Sequence, residues 1–297
     1  MQTHWIIETT ETGLTISELL RKRGLSARRR RIWRREATIR LNRQEVPWYT
    51  RIAAGDVLCI EVNDALRFEP WSFPLDCVFE DEDYLAVNKS SGMLVHPTVK
   101  ERQHTLLNAV QAHLDRRSPG ASPHPIHRLD RGTSGLILVA KSGRAHYAWE
   151  RHAMEHSSRR YLALVHGDFV APHADISLPI ARKEGSIIER EVNLVTGRTA
   201  RTFISRIAHS RQASLLALTL ATGRTHQIRV HCAHLGFPLL GDELYGGQRD
   251  RIERPALHAA NLQFCHPQTG RIIRLEAAPP EDFGAVCKLL FPSLGFN

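Results

Sequence analysis

The sequence predicts an α+β protein, with a mixed, largely antiparallel sheet in a large domain that follows a small N-terminal α/β domain. Its 297 residues suit that division and can bury a core with a shaped cleft. Short β-type runs alternate with only a few helical stretches, which is typical of this fold class. A basic segment near the N-terminus stands apart from a nearly neutral remainder, which indicates a separate unit there.

Two helices are predicted in the first part of the chain. Thr15 and Glu18 have capping-box spacing, and Gly24 can end the helix that they start. Ser26 can cap a second helix over residues 27–35. The exposed face of this second helix would be almost entirely arginine.

A small sheet is predicted to follow, completing a domain of residues 1–62. Residues 38–41 alternate polar and apolar before a turn at 42–44, and the Gly55-Asp56 turn precedes a strand over 57–62. This order of elements resembles the small RNA-binding domain named after a ribosomal small-subunit protein, which carries the alpha-L motif. The resemblance implies that the N-terminal domain binds RNA.

The positive charge is concentrated in this domain. The whole chain has a net charge of +9, and the stretch from Arg21 to Arg43 holds eleven Lys or Arg and one acid, Glu36. Such a patch favours a polyphosphate partner, because each neutralised phosphate releases counterions. A solvated basic helix is the alternative interpretation. A membrane surface is disfavoured, because the segment has few bulky apolar residues to insert. The arginines predicted to contact RNA are Arg28, Arg29, Arg30, Arg31, Arg34 and Arg35.

The rest of the chain is predicted to be a linker over residues 63–76 and a large domain over 77–297. Pro70, Trp71 and Pro74 are typical of a linker. The large domain alternates strands with few helices. Strands are predicted at 78–79, 84–89, 136–140, 160–165 and 215–220, a helix at 105–114 and a loop at 118–123.

Several classes of protein are disfavoured by composition. No run approaches about eighteen apolar residues, so no membrane span is expected. The N-terminus lacks the basic-then-apolar order of a secretion signal. Five cysteines are scattered, odd in number and without a Cys-x-x-Cys pair, which predicts reduced thiols in the cytoplasm and no structural zinc site.

The block from His127 to Gly135, with sequence HRLDRGTSG, is the densest chemical motif. It places the carboxylate of Asp130 between two arginines at the edge of a buried strand. Such departures from simple patterning are typical of functional sites. The alternative is a turn in which Asp130 caps the backbone, because Asp and Gly dominate turns for local reasons.

A second motif covers residues 222–231 and predicts a helix capped by Thr225 and ending before Gly236. A helix that carries Arg229 beside a strand end that carries Asp130 would form a charge pair in a cleft. A neighbouring guanidinium lowers the pKa of a carboxyl and keeps it ionised. An ionised carboxylate can act as a nucleophile or stabilise a developing cation. A purely structural ion pair is the alternative.

A zinc site and a kinase site are two other possibilities for these motifs. His226, His231, Cys232 and His234 cluster in sequence, but their spacing lacks the paired regularity of a zinc site. A kinase is disfavoured, because Leu129 interrupts the His-Arg-Asp triplet and no glycine-rich phosphate loop occurs. No metal is therefore predicted.

Four ordered blocks are similar to the RluA-type pseudouridine synthase family. A continuation over 236–246 also fits, as do Leu257-His258-Ala259 and Phe264-Cys265-His266-Pro267. The resemblance covers roughly residues 75 to 280 and implies the pseudouridine synthase fold. The four blocks are residues 88–97, 127–142, 160–167 and 220–231.

The resemblance assigns roles to individual residues. It implies that Asp130 is the catalytic aspartate, that Tyr161 stacks on the base and that Arg229 pairs with the carboxylate. It implies that Arg128 helps displace the target nucleotide and that Leu257 is an apolar pocket contact. His127, beside Arg128, is predicted to contact the RNA as well. Arg160 and Ser90-Ser91 depart from the family pattern without touching the proposed chemistry.

The implied activity is isomerisation of specific uridines in structured ribosomal or transfer RNA to pseudouridine. The reaction adds no atoms, so no cofactor is expected. Asp130 would stabilise or trap the sugar cation, and the order of steps at the sugar stays open. The rivals are an RNA-binding chaperone without catalysis and a nucleoside glycosidase that releases free base. A monomer is predicted.

Overall fold

The computed structural model describes residues 2–25, 27–62, 68–152 and 156–294. The chain divides into two compact units at residue 67, with Ser142–Arg144 grouped with the first. Helices and largely antiparallel sheets confirm the predicted α+β class. In the described part of the chain, no helix is both long and apolar enough to cross a membrane. All five cysteines are described, and none forms a disulfide.

The first unit is a four-stranded antiparallel sheet with two helices. The sheet order is β1-β4-β2-β3. The strand β1 was not predicted; it pairs with β4 over fifty residues later in the chain, and its few residues show no alternation. The elements are β1 (Gln2–Ile6), α1 (Ile16–Lys22), α2 (Ala27–Glu36), β2 (Ala37–Leu41), β3 (Gln44–Glu45) and β4 (Val57–Val62).

The capping box predicted for α1 is present. The Glu18 amide donates to Thr15 Oγ1 at 3.3 Å, and the Thr15 amide donates to Glu18 Oε2 at 2.8 Å. This helix buries Ile16, Leu19 and Leu20 in one cluster that also holds residues of α2 and the sheet. Fully burying each such side chain contributes about 1.5–3 kcal/mol, so this cluster is the main source of hydrophobic stabilisation in the unit.

Some predictions for the first unit fall outside the described residues. These are the Ser26 cap and residues 63–67 of the predicted linker. The side chains of Arg28, Arg29 and Arg35 also lie outside the described residues, although the backbone of α2 is described.

The second unit contains a ten-stranded sheet, a separate hairpin and four helices in its described residues. The helix predicted over 105–114 covers 106–117, and several elements were not predicted: α4, α6 and the strands β7, β10, β11, β12, β13, β15 and β16. The elements are β5 (Cys77–Glu80), β6 (Tyr84–Lys89), α3 (Leu106–Arg117), β7 (His124–Pro125), β8 (Ser134–Ala140), α4 (Gly143–His152), β9 (Ser158–His166), β10 (His173–Ile176), β11 (Ile180–Arg182), β12 (Arg190–Val192), β13 (Thr202–His209), β14 (Ala213–Leu220), α5 (Gln227–His234), β15 (Leu257–Cys265), β16 (Ile272–Glu276) and α6 (Glu281–Leu290).

The sheet has the order β10-β13-β14-β9-β15-β8-β6-β5, with β16 on β15 and β7 on β8. Every pairing among the described strands is antiparallel except that of β15 with β8, where His258 aligns with Ser134 and Ala259 with Gly135. Parallel neighbours begin at the same edge of a sheet. The loops that precede β8 and β15 therefore meet at one edge.

Both faces of β8 are covered, which explains its uninterrupted apolar sequence. All seven of its residues are buried. Ile137 and Val139 lie in a cluster with residues of α3 and α5. Leu136 and Leu138 lie in a second cluster with Trp149 of α4. The strand that follows the Asp130 motif is thus the centre of the core.

Candidate active site

Hydrogen bonds from the Arg254 side chain connect the loop that carries Asp130 to β15. The Thr133 amide donates to the Asp130 carbonyl at 3.1 Å, which closes a turn. Arg254 donates to the carbonyl oxygens of Gly132 at 3.2 Å and Leu257 at 3.4 Å. It also forms a two-point ion pair with Asp282. These bonds fix the loop against the first residue of β15.

Gly135 is required by the close approach of two strands. Its φ is +110°, and a Cβ atom there would lie 2.3 Å from the carbonyl oxygen of Ala259. Only glycine permits that approach without displacing backbone. The second glycine of the HRLDRGTSG motif therefore serves the β8–β15 junction.

A cleft of about 840 Å³ opens at this edge of the sheet. The loop before β8, strand β9, the β14–α5 turn and the start of β15 all contribute side chains. The structure brings together in this cleft every site residue that the sequence predicted for the large domain. These are His127, Arg128, Asp130, Tyr161, Arg229 and Leu257.

Arg229 has a stronger partner than Asp130. Its guanidinium donates to both oxygens of Asp242, from Nε at 2.6 Å and from Nη2 at 2.7 Å. Nη1 lies 3.5 Å from Oδ2 of Asp130. The Arg229 guanidinium also lies over the ring of Tyr245, 4.9 Å from its centroid. Arg229 is thus held by Asp242 and presents its remaining nitrogen to Asp130.

The acidic partners of Arg229 keep its guanidinium protonated. Burial opposes that charge, but the hydrogen bond and charge of Asp242, with the charge of Asp130, raise the pKa of Arg229. Both Asp242 and Tyr245 were missed as site residues by sequence reasoning. They lie after α5 in the stretch 236–246, which the family resemblance includes, but neither residue was given a role there.

His226 is the second side chain that faces Asp130. Its Nε2 lies 3.8 Å from Oδ2 of Asp130, and its Nδ1 lies 2.8 Å from the hydroxyl oxygen of Tyr245. It is the N-cap of α5, with φ of +59°. The prediction that Thr225 caps this helix was wrong: the helix begins one residue later, after a left-handed residue. The prediction that it ends before Gly236 agrees with its bounds.

Tyr161 lies on β9 and is 4% exposed. Burial raises the pKa of its hydroxyl, an effect that the nearby Arg159 opposes and the charge of Asp130 reinforces. The phenol therefore stays protonated at neutral pH. Arg159 also lines the cleft, whereas Arg160 is exposed on the same strand.

Lys89 is buried at the end of β6, close to the Asp130 loop. Its ammonium donates to the carbonyl oxygens of Ser90 at 2.8 Å, Met93 at 2.9 Å and Arg131 at 3.3 Å. Burial lowers the pKa of Lys89 to about 7, although the charge of Asp130 raises it in part. Sequence reasoning gave this residue no role, and a lysine ending an apolar strand is the signal that could have found it.

His127 supports the strand of the core. Its Nε2 accepts a hydrogen bond from the Leu138 amide at 3.2 Å. Its buried Nδ1 has no hydrogen-bond partner among the described residues. Burial, with the charge of Arg159, lowers the pKa of His127 to about 3, so the ring is neutral. Arg128, the next residue, is exposed at the cleft.

Two of the four candidate zinc ligands, His226 and His231, have other partners. His231 Nδ1 lies 2.8 Å from Thr202 Oγ1, and its Nε2 lies 2.9 Å from the Leu178 carbonyl oxygen. Burial raises the pKa of the Cys232 thiol to about 12. Across the described ranges, no group of three or more His, Cys, Asp or Glu side chains could hold a metal ion.

In the first unit, the described arginines of α2 differ in their contacts. Arg34 donates to Ser17 Oγ at 2.7 Å and is exposed, as is Arg31. Arg30 is half-buried and donates to the Leu25 carbonyl. Arg31 and Arg34 thus present charge on the surface of this unit.

Comparison with known proteins finds relatives that are named as pseudouridine synthases. Residues 83–234 match the family described as RNA pseudouridylate synthase. A ribosomal large subunit pseudouridine synthase D of Zymomonas mobilis is 38% identical over 242 residues, covering 76% of this chain and 75% of the relative. An uncharacterized RNA pseudouridine synthase of Bacillus subtilis is 36% identical over 258 residues, covering 84% and 89%.

Solved structures show the same fold. Human RNA pseudouridylate synthase domain containing 1 superposes with a TM-score of 0.55 at 29% identity, covering 71% of this chain and 86% of that one. Human RNA pseudouridylate synthase domain containing 4 gives a TM-score of 0.58 at 19% identity, covering 71% and 91%. The central sheet described above is therefore shared with these structures.

Proposed function

The chain belongs to the RNA pseudouridylate synthase family, whose members are isomerases acting on RNA, and on that premise we propose that it modifies ribosomal RNA with Asp130 as nucleophile. The observation that carries the proposal is the position of Asp130. Its carboxylate lies in the cleft, 3.5 Å from an Arg229 nitrogen whose guanidinium Asp242 already holds. A preorganised cation of this kind holds the carboxylate in place while the bond to the base breaks.

The bonds that change in the reaction define what the side chains of the cleft must do. Isomerisation breaks the bond between uracil N1 and the ribose, turns the base and forms a bond between C5 and the ribose. C5 gives up its proton and N1 gains one, so the product is an isomer of uridine. Positive character develops on the sugar during cleavage, and the anionic Asp130 stabilises or traps it. No atoms enter or leave, so the side chains of the cleft carry the whole reaction.

Tyr161 and Leu257 are proposed to hold the detached base. Tyr161 offers a flat ring and a hydroxyl that burial keeps protonated. Leu257 is 4% exposed and lines the same cleft. A base held between them keeps its position while its new bond forms, which separates a synthase from a glycosidase that releases uracil.

Arg128 is proposed to contact the RNA from which the uridine has left. It is exposed at the cleft, two residues before the catalytic carboxylate. A flipped nucleotide leaves a vacancy in its stack, and unstacking costs a few kcal/mol. A guanidinium can fill that vacancy. His127 is proposed to support this contact through its neutral ring.

The N-terminal unit is proposed to be an alpha-L-type RNA-binding domain of residues 1–62, separate from a catalytic domain of residues 77–297. Its support is the basic helix α2, where Arg31 and Arg34 are exposed. Phosphate contacts of this kind position a protein on RNA without selecting a sequence.

Ribosomal RNA is the proposed substrate class, because several relatives are named ribosomal large subunit pseudouridine synthase D. Loops and bulges are the preferred targets, because their bases unstack more easily than those of a continuous duplex. We propose that the enzyme acts as a monomer in the cytoplasm, where its five cysteines stay reduced.

The proposal is tested with Asp130→Asn. Ribosomal RNA and transfer RNA from a strain lacking this gene are incubated with each protein, and pseudouridines are mapped. Wild-type protein should modify ribosomal RNA, and Asp130→Asn should lose the activity while keeping its RNA affinity. Asp175→Asn, an exposed aspartate on β10, is the matched control. Turnover by Asp130→Asn, or modification of transfer RNA alone, would contradict the proposal.

The same assay separates the rivals. Free uracil in place of pseudouridine would identify a glycosidase. RNA binding without either product, in wild-type protein and with both RNA pools, would identify a binding protein that has kept the fold.

A further inference from the structure

We propose that His226 is a positioning residue for Asp130: its Nε2–H donates toward Oδ2 of the carboxylate and, together with Arg229, fixes which oxygen faces the sugar. This inference rests on the proposed role of Asp130 as nucleophile. The present Nε2 to Oδ2 distance is 3.8 Å. Hydrogen bonds in active sites are commonly long before the substrate binds and shorten in the complex.

The hydrogen-bond chain behind His226 selects its tautomer. The Tyr245 hydroxyl oxygen accepts the Arg190 amide N–H at 2.9 Å. The proton of that hydroxyl is then available to His226 Nδ1, 2.8 Å away. A neutral imidazole that accepts at Nδ1 carries its own proton at Nε2. The proton therefore points toward Asp130.

The ring is neutral, as this arrangement requires. Burial lowers the pKa of His226, and the charge of Asp130 opposes that shift. Arg229 and Arg190 lower the same pKa, whereas Asp242 raises it. These groups, with the Tyr245 hydroxyl, are the charged and titratable groups that face the ring from the surrounding elements.

The backbone at His226 supports a dedicated role. Its φ of +59° lies in the left-handed region, where glycine and asparagine are favoured over histidine. Such strain is concentrated at functional sites. The conformation places His226 at the start of α5, three residues before Arg229. From these positions both side chains converge on one carboxylate oxygen.

Only one of the two carboxylate oxygens of Asp130 takes part in the contacts with His226 and Arg229. Both contacts, from His226 Nε2 and from Arg229 Nη1, are made to Oδ2. Among the described residues, no side chain or amide donates to Oδ1. We therefore assign Oδ1 as the oxygen that attacks the sugar. Contacts to one oxygen restrict the rotation of the carboxylate, which keeps the other oxygen in line with its target.

Enzyme kinetics test the role with three variants and a control. His226→Asn tolerates the backbone but cannot reach Oδ2, and His226→Gln keeps an N–H donor near the position of Nε2. Tyr245→Phe removes the hydroxyl that selects the tautomer. His234→Asn, an exposed residue of the same helix, is the control.

The single-turnover rate of pseudouridine formation and the Kd for RNA are measured for each protein. The rate of His226→Asn should fall about 10- to 100-fold with an unchanged Kd, because a displaced nucleophile loses alignment. His226→Gln should recover part of this loss, Tyr245→Phe should be slowed, and His234→Asn should match wild type. A wild-type rate for His226→Asn, or a loss confined to Kd, would overturn the proposal.

A second measurement needs no turnover. Nitrogen NMR of histidine-labelled wild-type protein should show the His226 proton at Nε2. In Asp130→Asn the pKa of His226 should fall further, because the negative charge that raises it is gone. A proton at Nδ1, or an unchanged pKa, would overturn the inference. Failure of wild-type protein to make pseudouridine would instead overturn the proposed function, and this measurement would still decide the contact.

Discussion

Lys89 Nζ lies 3.3 Å from the carbonyl oxygen of Arg131, the residue that directly follows Asp130. The same ammonium is bonded to two carbonyls of the segment after β6. A buried lysine therefore joins that segment to the Asp130 loop. Its three donors match three backbone carbonyl oxygens, of which that of Arg131 also accepts the Gly92 amide at 2.8 Å.

Lys89→Met should loosen the Asp130 loop. We expect a stability loss of about 1–2 kcal/mol, because carbonyls lose their donor, and a rate about tenfold lower, because Asp130 shifts. Urea unfolding and single-turnover kinetics measure the two effects. Lys183→Met, an exposed lysine, should change neither. An unaltered rate in Lys89→Met would show that the loop is held without this residue.

Gly135→Ala should unfold or strongly destabilise the protein. The added Cβ would lie 2.3 Å from the Ala259 carbonyl oxygen, so β15 must move away from β8. We expect a loss of about 3 kcal/mol or more, from overpacking combined with a strained φ. Gly120→Ala is the matched control, because Gly120 also has a positive φ but faces open space. It should lose only about 1–2 kcal/mol. Thermal unfolding measures the stability of both variants. Equal losses in the two variants would mean that the close approach of β8 and β15 at Gly135 does not affect stability.

Acid should destabilise the fold through His127. Its pKa is about 3 in the folded state, whereas an unfolded histidine has a pKa of about 6.5. Between these values the unfolded state binds more protons, so the free energy of unfolding falls as the pH falls from 6.5 toward 3.

The contribution of His127 is isolated by comparison with His127→Gln. Wild-type protein should lose about 2 kcal/mol more than this variant between pH 7 and pH 5. Urea unfolding at both pH values measures the difference. His234→Gln should follow wild type. Parallel losses in wild type and His127→Gln would show that the ring can be protonated in the folded state.

The basic helix α2 should set the salt dependence of RNA binding. Replacing both Arg31 and Arg34 by Gln should weaken binding and reduce the slope of log K against log salt by about 1 to 2, because fewer counterions are released. Binding titrations over a range of salt concentrations measure this slope. Arg271→Gln, an exposed arginine of the other unit, tests whether any lost charge has the same effect. An unchanged slope in the double variant would remove the RNA-binding role from α2.

The sequence predicted the site best where chemistry is concentrated in short motifs. Asp130 and Arg229 stand in dense blocks whose charges contradict their apolar surroundings, and the structure brings the two side chains within 3.5 Å. Their common cleft was predictable because loops between buried strands collect at sheet edges. The strand after Asp130 was likewise predictable from its continuous apolar run.

Contacts that join distant backbone were not predictable. The partners of Lys89 are carbonyl oxygens, which leave no trace in side-chain pattern. Asp242 holds Arg229 across thirteen residues, and a single Asp in a loop gives no periodic signal. The strained φ of His226 was hidden because Thr225 has the side chain of an ordinary helix cap. These features depend on the assembled tertiary structure.

The parallel pairing of β8 with β15 connects two walls of the cleft. Arg254 ties both loops at this edge, and Gly135 leaves no space between the strands. We therefore expect the wall that holds Asp130 and the wall that holds Leu257 to keep their positions relative to each other. If the protein acts on RNA as proposed, uridines whose local RNA structure yields readily should then be the better substrates.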